Sequence, residues 1–198
     1  MSKTNIDWGF STYIHFHIAI PEIYNKLNWE PVALDKEEAT KLDIYYGIDY
    51  VFKDKDERHI YVQERFRDNY YGDKFNDATL RFRRDSNPNP DRTESEFYKI
   101  KADYLVYGIC NGSKYDKEKI TGFTKWAILD IGFIKEKYQQ GKLIIGYTGN
   151  RMCKQDKDTM ICPENFNPDG SSSFLPFDLG IMKALWGDAP VYKQKGFI

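Results

Sequence analysis

A single carboxylate, Asp49, stands inside an otherwise apolar run, Gly47-Ile48-Asp49-Tyr50-Val51-Phe52. An isolated ionised group is costly to bury, so this position asks for a partner, either a divalent metal or a nearby cation. After the charged turn Lys53–Arg58 comes the run Ile60-Tyr61-Val62-Gln63-Glu64-Arg65-Phe66-Arg67. Its period of two puts Tyr61, Gln63, Arg65 and Arg67 on one face and Ile60, Val62, Glu64 and Phe66 on the other. If Asp49 faces Gln63 and Arg65, one pocket holds an acid, an amide oxygen and a cation. Carboxylate and amide oxygens suit a hard cation such as Mg²⁺ or Mn²⁺, which activates a water and neutralises a phosphodiester during displacement. The plainer reading is that Asp49 caps a turn or pairs with Arg65 structurally, and that Glu64 is a salt-bridged strand residue.

These side chains depend on the elements around them. Asp35 has Glu38 three residues on, the capping-box spacing with Asp in the Ser/Thr role, ahead of Ala39, Leu42 and Ile44. That predicts a helix running directly to Gly47, followed by a hairpin of Ile48–Phe52 with Ile60–Arg67. Upstream, Phe10, Tyr13, Ile14, His17, Ile18 and Pro21 fit a helical stripe, although Tyr13–Ile20 also alternates like a strand. Pro21, with Glu22, Ile23, Tyr24 and Leu27 after it, reads as a fresh helix with proline in its first turn, ended by Trp29–Pro31. Thr79–Arg84 alternates Leu80 and Phe82 against Arg81 and Arg83, which predicts a third strand with one packed and one polar face. Ser86–Arg92 reads as loop and Glu94–Lys101 as a short helix or lead-in. Tyr104–Ile109 is a fourth strand, stopped by the turn pair Asn111-Gly112. Beyond the charged connection Tyr115–Thr121, Trp126 to Tyr138 reads as a strand entering a helix that ends at Gly141, and Leu143–Tyr147 as a further strand. Gln155–Ser173, with Pro163, Pro168, Gly170 and three consecutive serines, reads as a long surface loop before a short Asp178–Trp186 helix.

The order helix, Gly-Ile-Asp strand, charged turn and Val-Gln-Glu-Arg strand resembles the core of the PD-(D/E)xK, or restriction-endonuclease-like, superfamily. It is most similar to the branch seen in Mrr-type restriction nucleases, whose second motif reads Gln-x-Lys. The resemblance spans roughly residues 35 to 110. It implies that Asp49 is the metal-binding aspartate, that Gln63 opens the second motif and that Arg65 stands where the family places its catalytic lysine. Ala102-Asp103-Tyr104-Leu105-Val106-Tyr107 resembles the later core strand, reached by a crossover. An upstream acid often completes the family's metal site, with Glu38 the best placed and Glu22 and Asp43 behind it. The implied fold is α/β, a central mixed sheet flanked by helices around an αβββαβ core. We place that core at about 35–140 of a single domain, 1–198, with a C-terminal extension carrying a long loop at about 150–175. Arg65 is a departure with consequences, because an arginine stays protonated: it holds a phosphate or stabilises its charge but takes no proton from water.

The arginines lend separate support. Of 8 in the chain, 7 fall between Arg58 and Arg92, namely Arg58, Arg65, Arg67, Arg81, Arg83, Arg84 and Arg92. Phosphate is the natural counter-charge for such a patch, with Arg67, Arg81, Arg83 and Arg84 as the nucleic-acid contacts. Tyr70, Tyr71 and Phe75 interleave with them and could stack on bases or simply close the sheet. Against this, Asp68, Asp73, Asp77 and Asp85 are interspersed, as in an ion-paired solvated face.

Composition narrows the classes further. With 198 residues, 41% hydrophobic and 16% aromatic, the chain is neither disordered nor linker-rich and fits one domain. A formal charge of −1 supplies no whole-molecule attraction to nucleic acid or membrane, so any such affinity must be local. No stretch approaches a membrane span, the first residues lack the apolar region of a secretion signal, and Cys110, Cys153 and Cys162 are too widely spaced for a disulfide framework or a zinc site. We expect a cytoplasmic protein. His15, His17 and His59 have no ligand spacing and are expected in the core or on the surface. The leading expectation is a Mg²⁺- or Mn²⁺-dependent endonuclease that hydrolyses phosphodiester bonds, acting on DNA ahead of RNA, with room for a homodimer. In it Asp49, Gln63 and Glu38 hold the metal and Asp49, Gln63 and Arg65 do the chemistry. The other is a catalytically inactive protein of the same fold that binds nucleic acid or a protein partner. A third, an aromatic-rich interaction protein, has no nucleic-acid role.

Overall fold

The computed structural model describes residues 3–72, 74–83, 96–168, 170 and 172–198, with side chains from Gly9 onward. The expected loop Ser86–Arg92, Arg84, Arg92, Asp73 and Asp85 lie outside the described residues.

The chain begins with one long helical rod. Helix α1 (Lys3–Ile14) passes without a break into a π-helical stretch (His15–Tyr24) and then α2 (Asn25–Leu27), and Asn28 closes it in the left-handed conformation at φ 56°. Pro21 therefore starts no new helix, contrary to expectation; it lies on the exposed side of the widened i to i+5 turn. That wider turn sets the buried stripe Ile14, Ile18 and Ala19, Ile23 and Tyr24 against the sheet.

The short strand β1 (Glu30–Pro31) follows, and then α3 (Lys36–Tyr46), whose first turn is capped as predicted, with Asp35 Oδ1 accepting from the Glu38 amide at 2.8 Å. Gly47 ends it at φ 59°, a left-handed turn that glycine adopts without a Cβ clash and that delivers the chain to Asp49. The hairpin of β2 (Tyr50–Lys53) and β3 (His59–Arg67) is antiparallel, with Tyr50 opposite Val62 and Lys53 opposite His59. Asp54 ties its turn by accepting from the amides of Asp56 and Arg58.

After β3 come β4 (Asp77–Arg81), α4 (Glu96–Lys99), β5 (Tyr104–Cys110), β6 (Phe123–Asp130) and α5 (Ile131–Gln139). The last part holds β7 (Leu143–Ile145), β8 (Lys154–Asp156), β9 (Thr159–Cys162), β10 (Asn165–Phe166), β11 (Ser173–Asp178), α6 (Leu179–Trp186) and β12 (Val191–Lys195). The C-terminal loop expected over Gln155–Ser173, and broadly over 150–175, is thus broken up by the short strands β8, β9 and β10 and ends in β11. Met160 and Cys162 alternate into the core, and Lys157, at φ 53°, turns the chain between β8 and β9.

The protein is mixed α/β. Its central sheet has the order β1-β2-β3-β5-β6-β12, in which β3 and β5 run parallel and every other pair is antiparallel. Along the chain α3-β2-β3-β4-α4-β5 reads helix, three strands, helix, strand. In space, however, β4 leaves the central sheet and pairs with β11 in a separate one, β10-β11-β4; a third small sheet is β7-β9-β8. The expected alternation holds, with Leu80 and Phe82 buried, Arg81 half-buried and Arg83 exposed, although Asp77 to Thr79 ahead of them are buried as well.

Two cores sandwich the central sheet. Phe52, Val62, Phe66, Val106 and Ile128 meet the helical rod on one face, and Val51, Leu105, Ile109 and Leu129 meet β4, β9, β11 and α6 on the other. Each such side chain, fully buried, contributes about 1.5–3 kcal/mol. Gly108 in β5 is required by the first core, since a Cβ there would lie 2.5 Å from Cε1 of Phe123. Among the described residues no helix is long and apolar enough to cross a membrane.

Candidate functional site

Asp49 lies one step before β2, and the hairpin register sets it across from Gln63. Its amide donates to Val62 O at 2.8 Å, which fixes its backbone to the sheet. Asp49 Oδ2 accepts from Gln63 Nε2 at 2.6 Å and from the Glu64 amide at 2.8 Å. Burial pushes the Asp49 carboxyl well above the usual carboxylate range. The Glu64 amide opposes that rise, and the charges of Asp43, Glu64 and Glu96 add to it.

The strand alternation of β3 holds as predicted. Glu64 joins Val62 and Phe66 toward the helical rod, while Gln63, Arg65 and Arg67 face the other way, with Arg65 beside Tyr107 in register. The Arg65 guanidinium is driven well below its ordinary pKa by burial first and then by Arg67 and Arg81, against the pull of Glu96 and Tyr107. Its Nε is buried with no hydrogen-bond partner, and among the described residues it makes no ion pair with Asp49. The structural Asp49–Arg65 pair considered above is therefore not formed. Glu96, from the start of α4, acts on both groups: its charge raises Asp49 and steadies Arg65 while its Oε1 holds Arg81 Nη1 at 2.7 Å.

Of the upstream acids, Asp43 in the last turn of α3 is the one whose charge presses on Asp49. Glu38 is exposed in the first turn of the same helix. Glu22 is occupied elsewhere, accepting from the Phe123 amide at 3.0 Å and from Lys195 Nζ at 2.9 Å. Among the described residues no three His, Cys, Asp or Glu side chains are arranged to hold a metal ion.

The arginine cluster is extensively paired. Arg58 binds Asp54 and Asp56, Arg81 binds Glu96, and Arg83 grips Glu164 with Nε at 2.7 Å and Nη2 on the second oxygen. Arg67 Nη2 donates to Thr79 Oγ1 at 3.3 Å, and its guanidinium carbon lies 5.4 Å from the Tyr71 ring centre. Tyr70 is exposed, with Lys74 Nζ 3.7 Å from its ring centre.

Sequence reasoning gave no functional place to Glu96, and it missed a buried cluster behind the site. Glu64 Oε1 accepts from the Tyr24 hydroxyl and from His15 Nδ1, the latter at 2.8 Å, and the His15 ring stacks on Tyr50 with centres 3.4 Å apart. Burial, with Glu64 next, holds the Tyr24 hydroxyl well above its usual pKa and so keeps it a donor. The available signal was the acid Glu64 on the apolar face of its strand; the helical stripe read from the sequence held His17, which is exposed, and not His15. His17 and His59 are exposed and His15 is buried.

Comparison with protein-family models, with curated proteins and with solved structures gives no match to this chain.

Proposed function

We propose that the face of β3 bearing Gln63 and Arg65, together with Asp49, is a phosphodiester site of the PD-(D/E)xK kind, and that the protein is a metal-dependent nuclease acting on nucleic acid. The observation that carries this reading is a carboxyl and a guanidinium on one sheet face that do not pair with each other. Asp49 is a half-buried carboxyl pressed by three other acids, and Arg65 is a guanidinium with a buried, unpartnered Nε pressed by two other arginines. They do not pair with each other, yet a cation beside the first and a phosphate beside the second would relieve both.

The donor set fits Mg²⁺, which takes one or two carboxylates and keeps several waters for itself and for substrate phosphates. Asp49 and Gln63 would hold it, with Asp43 and Glu96 adding negative charge nearby. Bound there, the ion would acidify a water and offset charge on the phosphate. The remaining work belongs to this chain. Arg65 would hold a phosphate oxygen by charge-assisted hydrogen bonds, and the phosphate's negative charge would favour its protonated form. The Glu64 amide fixes the Asp49 carboxylate in place. Gln63 turns its nitrogen to Asp49, and half a turn about its terminal bond would present its oxygen instead. A phosphate chain tracking past Arg81 and Arg83 must compete with Glu96 and Glu164 for them.

A second reading, binding without cleavage, is favoured by Arg65 itself, which cannot act as the base that a lysine could become. One experiment separates the two. DNA and RNA oligonucleotides are incubated with the protein in Mg²⁺ or Mn²⁺, and with its Asp49→Ala and Arg65→Ala variants, while salt-dependent gel shifts record binding. The nuclease reading expects cleavage that Asp49→Ala abolishes and binding that Arg65→Ala weakens. Binding without cleavage favours the second reading, and cleavage equal in parent and Asp49→Ala removes Asp49 from the mechanism.

A further inference from the structure

The most suggestive chemistry away from this site lies in the third sheet. In the β8–β9 hairpin Lys154 stands opposite Ile161, Gln155 opposite Met160 and Asp156 opposite Thr159. One step further in that register Cys153 faces Cys162, and their sulfurs are 3.8 Å apart. Residues directly opposite on antiparallel strands have Cα atoms about 4.5–5.5 Å apart, within the roughly 4.4–6.8 Å that a disulfide spans. Small side-chain rotations would close the gap to the S–S distance of about 2.0 Å without moving the backbone.

The two thiols are unequal. Cys162 is fully buried, and burial, followed by the contact with Cys153, pushes its pKa well up. Cys153 is half-buried, and its Sγ lies 3.1 Å from the carbonyl oxygen of Pro176 on β11. The third cysteine, Cys110, is buried in the core on the helical-rod side of the central sheet and serves as an internal control.

We propose that Cys153 and Cys162 form a reversible oxidative modification site, entered through Cys153 and closed by Cys162 into a cross-strand disulfide. With a small disulfide such as oxidised glutathione as oxidant, the Cys153 thiolate attacks one sulfur. The glutathione S–S bond breaks, and one glutathione leaves and takes up a proton. Cys162 then gives its proton to water and attacks the Cys153 sulfur, forming the protein disulfide and expelling the second glutathione. Two protein thiols lose two electrons and one oxidised glutathione becomes two reduced molecules. Because burial disfavours the Cys162 thiolate, the closing step is the slow one. The product fastens the start of β8 to the end of β9, next to β7 and the Pro176 carbonyl.

The test treats the folded full chain with oxidised glutathione, counts free thiols over time and maps the linked peptides by mass spectrometry. The expected result is a fall from three free thiols to one, with Cys153 joined to Cys162 and both restored by a dithiol reductant. The variant C162S should stop at a stable glutathione adduct on Cys153, and C153S should form no bridge. The proposal is overturned if the parent keeps three thiols, if its Cys153 adduct never closes, if the bridge includes Cys110, or if C162S takes up no glutathione.

Discussion

Replacing Glu64 with alanine would strand two buried donors. The Tyr24 hydroxyl and His15 Nδ1 both point at Glu64 Oε1, Tyr24 is fully buried, and His15 is 2% exposed. A buried donor left without an acceptor costs about 1–3 kcal/mol, so two predict a loss of about 2–6 kcal/mol. That is a large part of the 5–15 kcal/mol by which a domain of ordinary size is stable, roughly speaking. The decisive measurement is a double-mutant cycle with Tyr24→Phe, followed by urea unfolding through tryptophan fluorescence, for which Trp29 lies 6.0 Å from the Tyr24 ring. In the parent, Tyr24→Phe removes a hydrogen bond to a charged group and costs about 1.5–3 kcal/mol. In the Glu64→Ala background the same change deletes an orphaned hydroxyl and should be neutral or stabilising. The coupling should therefore reach at least about 1.5 kcal/mol. If Tyr24→Phe costs the same in both backgrounds, Glu64 is not what holds the π-helical stretch to the sheet, and the account of that layer fails.

Two further outcomes are expected. Arg65→Met keeps the stem and removes an unpartnered buried donor, so it should raise stability by about 1 kcal/mol or more in urea unfolding while weakening oligonucleotide binding; lower stability with unchanged binding would make Arg65 a structural residue. Asp77 has an Oδ1 with no partner, and burial, with Asp178 behind it, lifts its pKa from 3.8 to about 6. Because the folded pKa is the higher one, Asp77 favours folding below about pH 4 and that contribution is lost as pH rises through about 6. Asp77→Asn should therefore outlast the parent in urea by up to about 3 kcal/mol near pH 7.5 and lose that advantage near pH 4. An advantage independent of pH would show that Asp77 titrates normally.

What could be read from the sequence was what is set locally. The caps at Asp35, Asp130 and Asp178 and the Asp54 turn of the hairpin rest on side-chain to backbone bonds within a few residues, and the Gly47 cap on its amide donating back to the Leu42 and Asp43 carbonyls. The two faces of β3 follow from strand geometry alone. What escaped was set by distant chain. Pro21 reads as a helix start by every local rule, and only packing against the sheet carries the rod through it. The Pro-, Gly- and Ser-rich run after Gln155 masks the alternation Thr159-Met160-Ile161-Cys162, which is strand because β7 lies alongside it. The carboxylates that occupy Arg81 and Arg83 lie 15 and 81 residues further along, beyond any spacing rule. The preference for Glu38 over Asp43 overlooked that α3 runs straight into Gly47 and Asp49, so that its last turn, which carries Asp43, is the end next to Asp49 while Glu38 sits exposed in the first turn.

The two faces of β3 call for different physical explanations. On the helical-rod side Glu64 has its donors, and that half of the strand is settled by folding alone. On the other side Arg65 keeps a guanidinium at a depth where a buried unmatched donor costs about 1–3 kcal/mol, two residues along the strand from Gln63, which stands opposite Asp49. The Glu64 amide and the Gln63 side chain both donate to Asp49 Oδ2, so the acid is held by its own hairpin and not by the arginine. Glu64 then matters twice, its side chain accepting from the rod and its amide donating to Asp49 on the opposite strand.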